Sequence, residues 1–163
     1  RLTLVRHAKS DWSLPGQVDW DRPLNKRGQR DAPEMARRLR SRKLKPDRMI
    51  SSPAVRALTT ASVMARELKV AATQLRQDER LYLASPADML AVVRELGGDA
   101  KHLMVFGHNP GITDFANRLS AGDRIDNMPT SAVFTATFAI QDWSELDWGS
   151  GQDAQFDYPK NLG

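Results

Sequence analysis

Apolar positions along the chain fall into two periodicities. Residues 2–5 and 103–106 are short, nearly unbroken apolar runs. Such runs read as strands buried on both faces, which lose the alternation of a half-exposed strand. A short strand fits residues 48–51, and residues 132–140, rich in β-branched and aromatic side chains, read as a longer one. Between these runs the spacing becomes helical. Ala32, Met35, Ala36 and Leu39 stand at i, i+3, i+4 and i+7. A second helix opens at Ser52-Pro53, a capping hydroxyl followed by proline at the first helical position, and turns Leu58, Ala61, Ser62, Ala65 and Leu68 inward. A third opens at Ser85-Pro86 with Asp88 completing a capping pattern. Its Met89, Val92, Val93 and Leu96 share one face, and Gly97-Gly98 stops it. Asn109-Pro110 signals one more helix start. Residues 10–23, with Trp12, Pro15, Gly16 and Trp20, read as loop, and the acidic, Gly-rich segment 141–163 as an irregular tail. Strands alternating with amphipathic helices predict an α/β fold, a three-layer α/β/α sandwich around a mostly parallel sheet. At 163 residues, the chain 1–163 fits one domain.

Composition narrows the function classes. Hydrophobic residues make up 40% and charged residues 27%, as in ordinary globular proteins. The apolar run 103–106 is far too short for a bilayer span, so no membrane partner is expected. The absence of cysteine removes disulfides, cysteine nucleophiles and thiolate metal sites, and suits a cytoplasmic location. The chain starts at Arg1 rather than Met, which leaves open a removed segment ahead of it. The net charge of +4 is local: residues 37–48 hold seven of the 24 Lys and Arg residues and one of the 20 acids. A basic cluster can read phosphates. This one lacks interleaved aromatic rings and sits where a helix ends, so it reads as cations at a carbonyl terminus, with no nucleic-acid partner.

In parallel α/β sheets the working residues lie at the carboxyl ends of the strands. His7 and His108 each follow a predicted central strand directly, beside helix-start signals. A single histidine at a strand end is as readily a hydrogen-bonded structural group. Two at matching places point toward chemistry. His102, at the opposite end of its strand, reads as structural, and His102 with His108 lacks the further ligands of a tetrahedral metal site. Arg6 precedes His7, and Arg56 falls in the first turn of the second helix, where the amide end already carries positive potential. Alone, Arg56 reads as a solvated side chain. Together with Arg6 and two helix N-termini it would form a pocket for a phosphoryl group, since the guanidinium fork holds two phosphate oxygens at once. Trp12 and Trp20 flank this region as rim or loop anchors.

These residues resemble a family. Leu4-Val5-Arg6-His7-Ala8-Lys9-Ser10 is similar to the Arg-His-Gly signature of the histidine phosphatase (phosphoglycerate mutase-like) superfamily. The stretch from Ser51 through Arg56 to Ala61 is similar to its second arginine motif, Gly107-His108-Asn109-Pro110-Gly111 to its second histidine, and Leu24-Asn25-Lys26-Arg27-Gly28 to the turn before its first helix. The short length and the Arg-His-Ala-Lys-Ser form look most like its small phosphohistidine phosphatase branch. Ala8 departs from the usual glycine.

The resemblance implies a phosphoglycerate mutase-like sandwich and assigns roles. His7 would attack phosphorus and become a phosphohistidine, dividing one transfer into two. Arg6, Arg56 and His108, with Asn109 beside it, would hold the phosphoryl oxygens. No metal or other cofactor is implied. Glu79, with Asp78 next to it, is the candidate proton donor, against a reading of Glu79 as a plain surface acid. A site without a firm acid suits a phosphoramidate, which can leave already protonated, so the expected partner is a phosphorylated protein bearing phosphohistidine. Alternatives are a phosphomonoesterase or mutase on a small phosphorylated metabolite, and a non-enzymatic phosphate- or nucleic-acid-binding module.

Overall fold

A computed structural model describes residues 1–162. Ten elements follow one another: β1 (Leu2–Arg6), α1 (Lys26–Ser41), β2 (Arg48–Ser51), α2 (Val55–Glu67), β3 (Leu75–Gln77), α3 (Pro86–Leu96), β4 (Leu103–Gly107), α4 (Gly111–Leu119), β5 (Val133–Thr137) and β6 (Gln152–Asp157). The strands form one sheet in the order β3-β2-β4-β1-β5-β6, parallel except for β5, which runs against both neighbours. Successive side chains of β1 and β4 point to opposite faces, and each face has its own core. Leu2, Leu4, Leu103 and Val105 meet α3 and α4 through Met89, Val92, Val93 and Phe115. Val5, Met104 and Phe106 meet α1 and α2 through Met35, Leu39 and Met64. The α/β sandwich of the sequence reading is therefore the observed architecture.

Two features of this topology build the site. β1 and β4 are adjacent and parallel with Arg6 opposite Gly107, so the next residues, His7 and His108, leave the sheet side by side. The chain then departs from β1 toward α1 on one face and from β4 toward α4 on the other. Diverging connections at neighbouring strand ends open a crevice, the usual ligand position in such sheets. Close packing pins its edges. α1 starts at Asn25, whose side chain accepts from the Gly28 N–H, and a Cβ at Gly28 would collide with the Lys9 carbonyl just after His7. Likewise a Cβ at Gly111, the first residue of α4, would strike the Ala84 carbonyl.

The structure departs from the sequence reading in four places. α2 begins at Val55 with Ala54 at the cap, two residues after Pro53, because the Ser52 hydroxyl meets His108 and leaves the helix start without a side-chain cap. The strand expected over 132–140 ends at Thr137, where its pairing with β6 slips. The three-residue edge strand β3 was too short and too exposed to leave a pattern. Segment 141–163, expected to be irregular, holds β6, whose Phe156 lies opposite Phe134. That strand is fastened by charge rather than by apolar periodicity. Buried Asp157 takes Arg42 at 2.8 Å and Arg38 at 3.4 Å, and Arg38 also donates to the carbonyls of Tyr158, Pro159 and Asn161. Arg48 donates to the Leu96 and Gly97 carbonyls at the end of α3. Much of the basic cluster is thus engaged within the chain.

Candidate active site

His7 lies 7% exposed at the end of β1 and His108 2% exposed at the end of β4, with ring centroids 5.2 Å apart. The His7 Nδ1 is 2.7 Å from the Ala8 carbonyl. A carbonyl only accepts, so Nδ1 carries the proton and, in the neutral ring, Nε2 keeps its lone pair. Neutrality is enforced. Burial pushes the His7 pKa down to about 4, Arg56 and Arg6 add to the fall, and the Ala8 bond and Asp19 only partly oppose it. His108 is lowered to about 3, by burial and then by His7 and Arg56. Its Nε2 is 2.8 Å from the Ser52 hydroxyl, which accepts from the Ala54 N–H and can donate its own proton to the ring. Donation in that direction leaves the His108 proton on Nδ1, an atom that is buried with no partner.

The two arginines complete the cluster. Arg6 donates one terminal nitrogen to the Met128 carbonyl at 2.9 Å, while its Nε is buried without a partner. Burial, then the charge of Arg56, lowers its pKa, the mark of two cations sharing a desolvated space. Arg56, 5% exposed in the first turn of α2, donates to the Asp19 backbone carbonyl at 2.7 Å and to Asp19 Oδ2 at 2.9 Å. α2 and α4 start beside the histidines without side-chain caps, so their first amides add to the positive potential. A buried donor left unpaired costs about 1–3 kcal/mol. Two such donors, beside two guanidiniums and a free imidazole nitrogen, make a place for an anion that accepts hydrogen bonds.

Residues 2–82 match the model of the histidine phosphatase superfamily (branch 1). The chain belongs to the histidine phosphatase superfamily. An uncharacterized protein of Mycobacterium tuberculosis is 29% identical over 165 residues, covering 96% of this chain and 100% of that relative. The SixA structure from Nakamurella multipartitia is 25% identical with a TM-score of 0.76, over 98% of this chain and 95% of that one. A structure of the protein histidine phosphatase SixA complexed with tungstate superposes with a TM-score of 0.79 at 23% identity, over 99% of each chain. The family and these neighbours support a phosphatase hydrolase with the phosphoglycerate mutase-like fold.

Other candidates fare differently in this histidine phosphatase. Asn109 does not offer its amide to the cleft. Its Nδ2 donates to Asn127 Oδ1 at 2.7 Å and to the Met128 carbonyl at 3.1 Å, and its Oδ1 accepts from Thr113. It holds the loop whose Met128 carbonyl also accepts from Arg6. Asp78 is tied to Arg80 and caps a short turn, and the side chain of exposed Glu79 makes no hydrogen bond or ion pair among the described residues. Among those residues, no group of three or more His, Asp and Glu side chains gathers as a metal site would. Ala8 is fully buried against Leu24 and Ala32, and its N–H donates to Thr60, which accounts for a methyl group where the family has glycine.

Two participants escaped the sequence reading. Asp19 reaches the cleft from a short turn at Asp19–Asp21, and the Tyr82 hydroxyl donates to its Oδ2 at 2.6 Å. Tyr82 stands edge-on to His108 at 5.5 Å and packs on Trp20 at 4.7 Å. Burial raises the Asp19 carboxyl, but Tyr82 and Arg56 outweigh it and hold the group below the usual carboxylate range. Asp19 is one of three aspartates in an aperiodic loop, which gave no signal. Tyr82 closes the Asp78-Glu79-Arg80-Leu81-Tyr82 segment that drew attention to Glu79. Trp12 is exposed and lies under the Arg22 guanidinium. A cavity of about 830 Å³ lies away from the histidines, between segment 122–129 and β6, and holds neither of them. Beside the histidines stand Tyr82, edge-on to His108, and Asp19, bonded to Tyr82 and Arg56.

Proposed function

We propose that the protein is a phosphatase acting through a covalent phosphohistidine on His7, and that its substrate is phosphohistidine in a protein. The observation that carries this reading is the His7 ring: fixed by Ala8, held neutral, with Nε2 free beside the unpartnered donors of His108 and Arg6. Nε2 attacks phosphorus as the bond to the leaving group breaks. Arg6, Arg56 and His108 Nδ1–H hold the equatorial oxygens as charge spreads over them. The phosphorylated His7 ring is cationic, and its Nδ1–H bond to Ala8 supports that charge. Water then attacks phosphorus, the electron pair of the P–N bond returns to Nε2 to give the neutral ring, and both water protons leave on the phosphate, which exchanges one with solvent. The guanidiniums, the imidazole and two helix N-termini supply the positive potential that a metal would otherwise provide. A cytoplasmic location belongs to the same reading.

Two observations favour a phosphoramidate over a small phosphomonoester: the lowered pKa of Asp19, which keeps it ionised, and the Glu79 side chain's lack of any partner among the described residues. An alkoxide leaving group calls for a general acid worth about 10²–10⁴-fold, and none of these carboxylates is poised to supply it. The test pairs a phosphohistidine protein with common phosphomonoesters and looks for an acid-labile, base-stable phosphoryl label on His7. Turnover with label, both lost in His7→Ala, is expected. Activity that persists in His7→Ala without label would remove the mechanism.

A further inference from the structure

Asp19 sits oddly for a site that takes phosphate. A carboxylate already occupies one edge of Arg56, and Tyr82 and Arg56 both serve its Oδ2. Its other oxygen, Oδ1, accepts no hydrogen bond among the described residues. Arg22 Nε stands 3.8 Å from it, too far for one, while the Arg22 guanidinium lies over the Trp12 ring. The Asp19 side chain is 41% exposed, whereas His7 is 7% exposed, and the Asp19 charge acts on the buried imidazole, so Asp19 is a solvent-reached group beside it.

In-line transfer sends the leaving group away from the attacking nitrogen, and with His7 at the floor of the crevice that direction is the mouth. We propose, resting on the phosphatase reading above, that Asp19 Oδ1 is a leaving-group subsite that accepts an N–H from a protonated nitrogen base, selecting phosphoramidates of imidazolium type. The reasoning is electrostatic. A phosphoryl dianion placed near an ionised carboxylate is repelled by it. A cationic leaving group relieves that repulsion, a neutral alcohol does not, and an acidic metabolite adds to it. For phosphohistidine the bookkeeping of charge closes: the N–P bond breaks, its electron pair stays on the departing nitrogen, and the distal N–H held by Asp19 lets the ring leave as neutral imidazole. The phosphoryl group moves to His7 Nε2 with no proton needed from the protein. Tyr82 and Arg56 fix the carboxylate through Oδ2 and keep Oδ1 turned outward.

The test compares kcat/KM for N-phosphoimidazole, p-nitrophenyl phosphate and phenyl phosphate in wild type, Asp19→Asn and Asp19→Glu. Asparagine is isosteric, and its one oxygen can still accept from Arg56 and Tyr82, so the variant removes the charge while keeping the frame; thermal melting verifies that it folds. A charged hydrogen bond lost from the transition state costs about 10- to 100-fold. The expected result is that Asp19→Asn lowers the ratio of phosphoimidazole to p-nitrophenyl phosphate by that amount, and Asp19→Glu restores most of it. Equal losses on all three substrates would overturn the proposal and leave Asp19 as a brace for Arg56. A larger loss on phenyl phosphate, the poorest leaving group, would overturn it in favour of a general acid. Wild-type protein that turns over none of them and takes no label on His7 would instead count against the phosphatase reading itself. Should Asp19→Asn not fold, Asp19→Glu decides alone: a ratio within about threefold of wild type is expected, and a fall of tenfold or more would overturn the proposal, because glutamate keeps the charge.

Discussion

The central sheet buries histidine at both of its ends. At the amino end, His102 is 7% exposed and burial lowers its pKa to about 4. At the carboxyl end, His7 is equally buried and lowered equally far. The surroundings differ. His102 Nε2 meets the Thr3 hydroxyl at 2.7 Å, Thr3 meets Thr135, and Asp47 accepts from the N–H groups of Lys101 and His102. That network closes on itself. At the other end His108 Nδ1 and Arg6 Nε have no partner, and two guanidiniums crowd one desolvated space. Depressed pKa values therefore do not separate the two ends, whereas unpaired buried donors do. A structural network satisfies its members, and a binding site leaves some of them for the ligand.

The sharpest break of this comparison is a pair of deletions. His7→Ala should lower kcat/KM by at least about 10³-fold with little change in melting temperature, because the lost group is the proposed nucleophile. His102→Ala should do the reverse, leaving activity within about threefold and lowering stability by about 1–3 kcal/mol as Thr3 loses its partner. Kinetics and thermal unfolding on both variants decide it, and matching losses of activity would erase the distinction. Next in size, Arg56→Ala should cost about 10²–10³-fold in kcat, the scale for removing a preorganised charge donor. Steady-state rates check this, and a loss under fivefold would place the phosphate elsewhere.

Acid treats the two ends alike. A folded pKa of about 4 or 3, below the unfolded histidine value of about 6.5, means that the unfolded chain binds the proton first. Stability from all three histidines is therefore complete above about pH 6.5, falls as pH drops toward 4, and levels off below the folded values. The slope is about 1.4 kcal/mol per pH unit for each histidine that stays neutral. Urea midpoints between pH 7 and 4 measure it, and His102→Gln should flatten the curve by one histidine's share. The smallest effect belongs to Glu79→Gln. With no partner on that side chain, kcat should stay within about twofold, and a loss of 10²-fold or more would reinstate Glu79 as a general acid.

The residues of the cluster were readable because each lies at a boundary with a local signature. His7 and His108 end apolar runs, Arg56 follows Ser52-Pro53, and four such motifs stand in family order. Adjacency in sequence does not fix side-chain direction: the Asn109 amide turns to Asn127 and Met128. Asp19 and Tyr82 were not readable, since their meeting depends on a loop folding across 63 residues of separation. β6 was missed for a related reason. A buried Asp157 neutralised by Arg38 and Arg42 leaves no apolar alternation to detect.

Local patterning alone determined four of the six strands, the four helices, the layer architecture and the placing of His7 and His108 at the ends of β1 and β4, because periodicity and capping act over a few residues. Only the tertiary structure decided which donors stay unpaired, which arginine stands beside the histidines and which fastens the C-terminal segment, and which carboxylate pairs with Arg56. Those outcomes depend on hydrogen-bond partners brought from distant segments, and a sequence names the donors without naming what they meet.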